Sequence, residues 1–141
     1  MNIFNITFLI TLIIMSFILG VAFKFYDKFF WWDKLIHFLS GITFVCVGID
    51  LYKKIDNLSN VYIILFSFTL SITINTIWEV IEYTLDCFFN TDNQRWQKKH
   101  KTINHLNHKN KQPAGLIDTM NDTILCMISS LITCVIWFFI L

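Results

Sequence analysis

Four stretches of nearly unbroken apolar residues, Ile3 to Phe23, Leu35 to Leu51, Val61 to Phe89 and Leu116 to Leu141, constrain this chain more than any other feature. Each is close to or longer than the ~20 residues an α-helix needs to cross a hydrocarbon core of ~30 Å. A backbone in hydrocarbon finds no water to bond, so an apolar run of that length is helical. The expected fold is all-α, a four-transmembrane-helix bundle forming a single integral membrane domain over residues 1–141. Its helices are expected at about 3–23, 33–52, 61–89 and 116–141, with a basic loop over 90–115. Hydrophobic residues make up 55% of the chain and charged ones 15%, which excludes an ordinary soluble domain. The first run has no basic leader and no small-residue cleavage site after it, so it reads as a mature helix rather than a secretory signal. Cys46, Cys87, Cys126 and Cys134 show no CxxC spacing, so small side chains in apolar helices are expected rather than disulfides or a thiolate zinc site.

The few ionisable residues inside these runs are not scattered. Glu79, Glu82 and Asp86 share one face of the third helix, and Asn75 continues that line one turn earlier. They lie at the helix C-terminus, where the macrodipole is already negative, so a positive group is expected nearby. The second helix opens with Asp33, placed to cap the first free amides, and carries His37, Gly41, Phe44 and Gly48 on the same face. The two glycines suit close approach by a neighbouring helix. At its other end Asp50 precedes Lys53 and Lys54, the spacing of a snorkelled surface ion pair. The fourth helix aligns Asp118, Asn121, Asp122, Leu125 and Ser129, and Asp118 also suits a cap. The first helix has no charge, and its Thr7, Thr11 and Ser16 can bond back to their own backbone, as expected of a packing helix.

Four passes alternate in direction, so the second helix begins on the side where the third ends and the fourth begins. Asp33, His37, Glu79, Glu82, Asp86, Asp118 and Asp122 are thereby delivered to one membrane face. Nine of the eleven basic residues lie on that side too, Lys24, Lys28, Lys34, Arg95, Lys98, Lys99, Lys101, Lys109 and Lys111, with only Lys53 and Lys54 opposite. The positive-inside rule makes the crowded face cytoplasmic and puts both termini on the outer side. Within residues 90–115, a short surface helix would use Trp96, Ile103 and Leu106 as anchors, while His100, His105 and His108 are expected in a solvated loop.

Ionisable groups at membrane depth are costly and tend to face a bundle interior or a wet cavity. Six carboxylates and one imidazole at one depth repel unless some are protonated, paired with lysine or bound to metal. The site expected from the residues is His37, Glu79, Glu82, Asp118 and Asp122 as ligands or general bases. Asp33 would orient His37, and Asn75, Asp86 and Asn121 would extend the polar surround. Mg2+ or Mn2+ suits a carboxylate set, and Zn2+ or iron suits one that includes the imidazole. The expected partners are the lipid bilayer and a lipid headgroup or small phosphorylated ligand, with no nucleic acid. Two other classes stay open: a proton- or cation-linked transporter or sensor using the acids as a relay, and a non-catalytic protein whose acidic cluster is structural.

The blocks Asp33-Lys34-x-x-His37-x-x-x-Gly41, Trp78-Glu79-x-x-Glu82 and Asp118-Thr119-x-x-Asp122, taken in this order, resemble the YjdF-like family of small bacterial membrane proteins. More distantly, the Asp-Lys-x-x-His start and the late acidic segment resemble the VanZ-like proteins, which are associated with glycopeptide resistance. The resemblance implies a multi-pass protein of the bacterial plasma (inner) membrane. It implies no particular reaction.

Overall fold

The structure is a computed structural model, and it describes residues 2–55, 58–94 and 112–141. The expected surface helix at Trp96, Ile103 and Leu106, the three loop histidines and the basic residues from Arg95 to Lys111 lie outside the described residues. The elements are α1 (Ile3–Ile13), continuing as a π-helix over Ile14–Ala22, then α2 (Phe25–Lys28), α3 (Trp32–Tyr52), α4 (Asn60–Phe89) and α5 (Ala114–Phe138). Ile3–Ala22, Trp32–Tyr52, Asn60–Phe89 and Ala114–Phe138 are each long and apolar enough to cross a membrane.

The first span departs from a plain α-helix. Asn2 caps it, its side chain accepting from the Asn5 amide at 2.8 Å. Thr7, Thr11 and Ser16 each donate to the carbonyl four residues back, at 2.8 to 2.9 Å. From Ile14 the winding widens, and the Phe23 amide reaches the Ile18 carbonyl at 3.0 Å. Buried Gly20 lies in this wide segment against the ring of Tyr26, whose Cδ2 would stand 2.9 Å from any Cβ placed there. The chain then reverses through Lys24 at φ 57° into the short α2.

α3 is the central helix. It packs on both α4 and α5, which also pack on each other, while the first span leans on α3. Its two glycines admit different neighbours: a Cβ on Gly41 would stand 2.6 Å from the Cys126 carbonyl on α5, and one on Gly48 would stand 2.8 Å from the Ser67 Cα on α4. The seam is completed by small hydroxyls. Ser71 bonds Ser130 at 2.9 Å and donates to the Gly41 carbonyl at 3.3 Å. Ser129 and Thr133 close onto carbonyls of their own helix. Below the seam, Val45, Ile49, Ile63 and Cys134 form an apolar cluster on which Trp137 and Leu141 pack.

α4 runs antiparallel to its neighbours. The Asn2 amide donates to Asp50 at 2.8 Å, and Asn5 reaches both Asp50 and the Cys46 carbonyl, so the first span is pinned to the end of α3. Asp50 therefore serves the first span rather than an ion pair with Lys53 and Lys54; Lys53 lies over the Trp137 ring at 5.0 Å. Asn2 and Leu141 lie at this far end of the bundle, opposite the acids. The 30 residues of α4 against the 21 of α3 leave an overhang of about 13 Å at ~1.5 Å per residue. That overhang, bearing Glu82 and Leu85, forms one wall of the acidic end.

Neither predicted aspartate cap forms. α3 begins at Trp32 and α5 at Ala114, earlier than the charge pattern suggested, and neither N-terminus has a side-chain cap bond. Asp33 and Asp118 both fall inside the first two turns; Asp33 faces His37 one turn on in its own helix, and Asp118 reaches Lys34 on α3.

Candidate functional site

His37 is buried among α3, α4 and α5 at 3% exposure, one turn beyond Asp33. Its Nδ1 lies 2.8 Å from the Asn75 Oδ1 on α4. The Asn75 amide nitrogen is committed to Thr123 Oγ1 at 3.4 Å, which presents Oδ1 as the acceptor and makes Nδ1 the ring donor. The other ring nitrogen, Nε2, then faces the Glu79 Oε1 at 3.6 Å and the Asp33 Oδ1 at 3.7 Å. Both separations exceed a hydrogen bond. Nε2 and Oε1 are buried without a hydrogen-bond partner, so electron-rich atoms converge on a point that calls for something electropositive.

Two groups of ligand atoms meet there, each within 4.8 Å: Asp33, His37 and Asp122, and His37, Glu79 and Glu82. Ligand distances of about 2.0–2.2 Å around a tetrahedral ion put neighbouring ligands about 3.3–3.6 Å apart. The observed Nε2 to carboxylate spacings are close to that edge. Lys34 Nζ lies beside the groups, 3.1 Å from Asp118 Oδ1 and 3.4 Å from Asp122 Oδ1. Glu82 accepts from the Trp78 indole at 2.7 Å, which fixes its carboxylate one turn outward from Glu79.

The helices thus bring together His37, Glu79, Glu82 and Asp122 as the sequence suggested, but redistribute the supporting roles. Asn75 bonds the imidazole, the part expected of Asp33, while Asp33 stands among the atoms that could hold an ion. Asp118 is one step removed, on Lys34. Two expected members do not join. Asn121 is exposed on the other side of α5, beside Leu116, Ile117 and Met120. Asp86 turns the chain back at the end of α4, accepting from Thr91 Oγ1 at 2.6 Å and from the Asn93 and Gln94 amides at 2.8 and 2.9 Å. Asn90, at φ 53°, ends the helix in the left-handed region that Asn tolerates.

Two cavities adjoin the cluster, and the sequence signalled neither. One, of ≈ 300 Å³, is the more polar of the two and lies against the overhang of α4, bordered by Tyr26, Asp27, Asp33, Glu82 and Asp92 among apolar side chains. The other, of ≈ 130 Å³, is mostly apolar and extends between the first span and α3 and α4, with His37 and Asn75 in its wall. Ser16, Phe17 and Trp78 border both. Burial first, and then the charge of Asp33, push the Tyr26 phenol above its usual range, so it stays a neutral hydroxyl. The missing side chain at Gly20 lets that ring lie where it does, and nothing in the hydropathy of the first run marks it.

The chain belongs to the family described as Predicted membrane protein (DUF2238), which it matches over residues 3–141. The YjdF-like resemblance leads to the same family. No curated protein and no solved structure matches the chain.

Proposed function

From this membership and the geometry of the buried imidazole, we propose that the protein holds one divalent transition-metal ion, Zn2+ or Mn2+, at the acidic end of its bundle and presents it to a lipid headgroup. The observation that carries the reading is the pair of buried, unpartnered atoms, His37 Nε2 and Glu79 Oε1. The ligands are His37, Glu79, Asp33 and Asp122, with Glu82 at the edge toward the polar cavity. An imidazole nitrogen in the set favours Zn2+ or Mn2+ over Mg2+, which prefers oxygen and keeps its waters. Asn75 holds the ring by its other nitrogen, the support a metal-bound histidine commonly has. Bound there, the ion supplies Lewis acidity to a headgroup oxygen. Asp33 and His37 belong to the segment that suggests a VanZ-like kinship, so the shared start would be a ligand pair. Lys24, Lys28 and Lys34 flank the start of α3 at this end of the bundle, and the sequence between α4 and α5 holds Arg95, Lys98, Lys99, Lys101, Lys109 and Lys111. By the positive-inside rule this end faces the cytoplasm of a bacterial plasma membrane, with both termini outside.

Metal analysis of the purified protein tests this: about one Zn2+ or Mn2+ per chain is expected, falling at least tenfold in Glu79→Gln and in Asp122→Asn with folded yield retained. No bound divalent ion in the wild type would overturn it. Loss of folded protein in both variants would favour a structural network instead. A relay across the membrane is disfavoured by the seam of Gly41, Gly48, Ser67 and Ser71, where helices meet backbone to backbone and Ser67 and Ser71 are fully buried.

A further inference from the structure

We propose that the cavity walled by His37 between the first span and α4 holds the first carbons of one acyl chain of a membrane glycerophospholipid, so that the ligand of the acidic end enters sideways from the bilayer and not from water. This rests on the reading of the acidic end as an ion site and names the class of molecule that reaches it.

The walls of this ≈ 130 Å³ cavity decide what can fill it. Leu9, Leu12 and Ile13 of the first span, Ile36 and Phe44 of α3 and Ile74 of α4 supply most of its surface. The polar groups among them are committed to protein atoms. Ser16 Oγ donates to the Leu12 carbonyl at 2.9 Å, Ser40 Oγ donates to the His37 carbonyl at 2.8 Å, and Asn75 is held between His37 and Thr123. A buried water needs about two to four polar partners, so hydrocarbon suits this space better than solvent does. An apolar cavity of about 150 Å³ stays dry and takes a six-carbon ring, which scales this one to about five or six carbons of a single chain.

The mouth lies on the lipid side. Among the described residues, the backbone of the first span comes close to α2 and α3 and stays clear of α4. Ile13 and Phe17, both in the cavity wall, are 50% and 52% exposed, and at this depth in a bundle of apolar spans that exposure is to lipid. The cavity is thereby continuous with the surface that the bilayer already covers. A chain can slip from the membrane into the gap between the first span and α4 without crossing water.

His37 ties the cavity to the ion site. The ring is 3% exposed and stands in the cavity wall, while its Nε2 is unpartnered and lies 3.6 Å from the Glu79 Oε1. Trp78 marks where hydrocarbon gives way to polar groups: its indole borders the apolar cavity, and its Nε1 donates to Glu82 in the wall of the other. With its first chain carbons beside His37, a lipid sets its glycerol oxygens near Trp78 and Glu82, on the side where the ligand atoms gather. A water-soluble phosphate ester would leave the apolar half of this arrangement unused.

Native mass spectrometry of the full chain in detergent, with lipid titration, tests the proposal. The probes are dioleoyl phosphatidylethanolamine and its deacylated counterpart, glycerophosphoethanolamine. One phospholipid per chain is expected to survive delipidation, and the deacylated compound should bind at least about a hundredfold more weakly, the order expected for burying some five methylenes. Ile74→Trp, which fills the cavity from α4, should lower lipid retention at least about tenfold and leave the metal content unchanged. Half-exposed Ile13→Trp gives the same reading should Ile74→Trp fail to fold. Val80→Trp, on the exposed face of α4 outside the cavity, should change neither lipid nor metal. Equal binding of the deacylated compound overturns the proposal, as does lipid retention that no filled variant lowers. Recovery of an isoprenoid lipid, or of paired chains in place of a phospholipid, overturns it too. The two readings fail separately. A chain that never binds metal but retains one phospholipid that Ile74→Trp expels leaves this inference standing and removes the ion. One ion per chain without a saturable phospholipid does the reverse.

Discussion

The seam that joins α3 to α4 and α5 and the acidic end above it are both polar, both buried and built from the same three helices, yet they end differently. In the seam every hydroxyl closes on something within reach: Ser71 on Ser130 and the Gly41 carbonyl, Ser67 on Ile63, Thr133 on Ser129. At the acidic end an imidazole nitrogen and a carboxylate oxygen face each other 3.6 Å apart with no partner. Small hydroxyls carry their own solution, since a serine can always bond the turn before it. A carboxylate or an imidazole cannot, and leaving one open inside a membrane protein costs more than any packing gain repays. Polarity within these spans thus divides into groups that close on a nearby backbone or hydroxyl and groups that do not, and the proposed ion site rests on the second kind.

The sharpest attempt to break this contrast is Gly41→Leu. A Cβ there already meets the Cys126 carbonyl at 2.6 Å, so we expect a loss of about 3 kcal/mol or more and little folded protein, read by size-exclusion yield and thermal unfolding in detergent. A well-folded Gly41→Leu protein would mean the seam is not tight. Glu79→Gln should behave in the opposite way. Its metal content should fall by about 10–100-fold, while the unfolding of the chelated protein shifts by less than about 1 kcal/mol. Equal losses in metal and in chelated stability would erase the distinction between the two regions. Ser71→Ala should cost about 1 kcal/mol in unfolding and leave metal content unchanged, since it removes bonds only within the seam. The smallest effect is expected at Lys34→Met, which frees Asp118 and Asp122 from an ammonium at a partly exposed site. Divalent-ion affinity by calorimetry should rise about threefold, with stability nearly unchanged.

Much of this was legible in the amino-acid string. Four apolar runs imply four spans, and alternation alone brings Asp33, His37, Glu79 and Asp122 to one end although they lie far apart in the chain. Gly41 and Gly48 announced close packing. Helical periodicity was less reliable at the level of a single neighbour. Asn121 and Asp122 differ by about 100° around α5, which is enough to send one outward and the other to His37. Asp86 lies on the same stripe as Glu79 yet answers to the turn that follows it, where the Asn93 and Gln94 amides donate to its carboxylate at 2.8 and 2.9 Å. Asp50 looked like the partner of lysines at helical spacing, and Asn5, 45 positions away, reached it first.

What the sequence determined by itself was how many times the chain is long and apolar enough to cross a bilayer and which of its ends gathers charge, because length, hydropathy and alternation are properties of one strand of residues. Tertiary structure alone decided that Asn75 and not Asp33 steadies the imidazole, that Lys34 answers Asp118 and Asp122, and that Gly20 in the first span packs against the ring of Tyr26. Those outcomes depend on the distances between helices and on which rotamer wins each contact, and no pattern along a single helix encodes either.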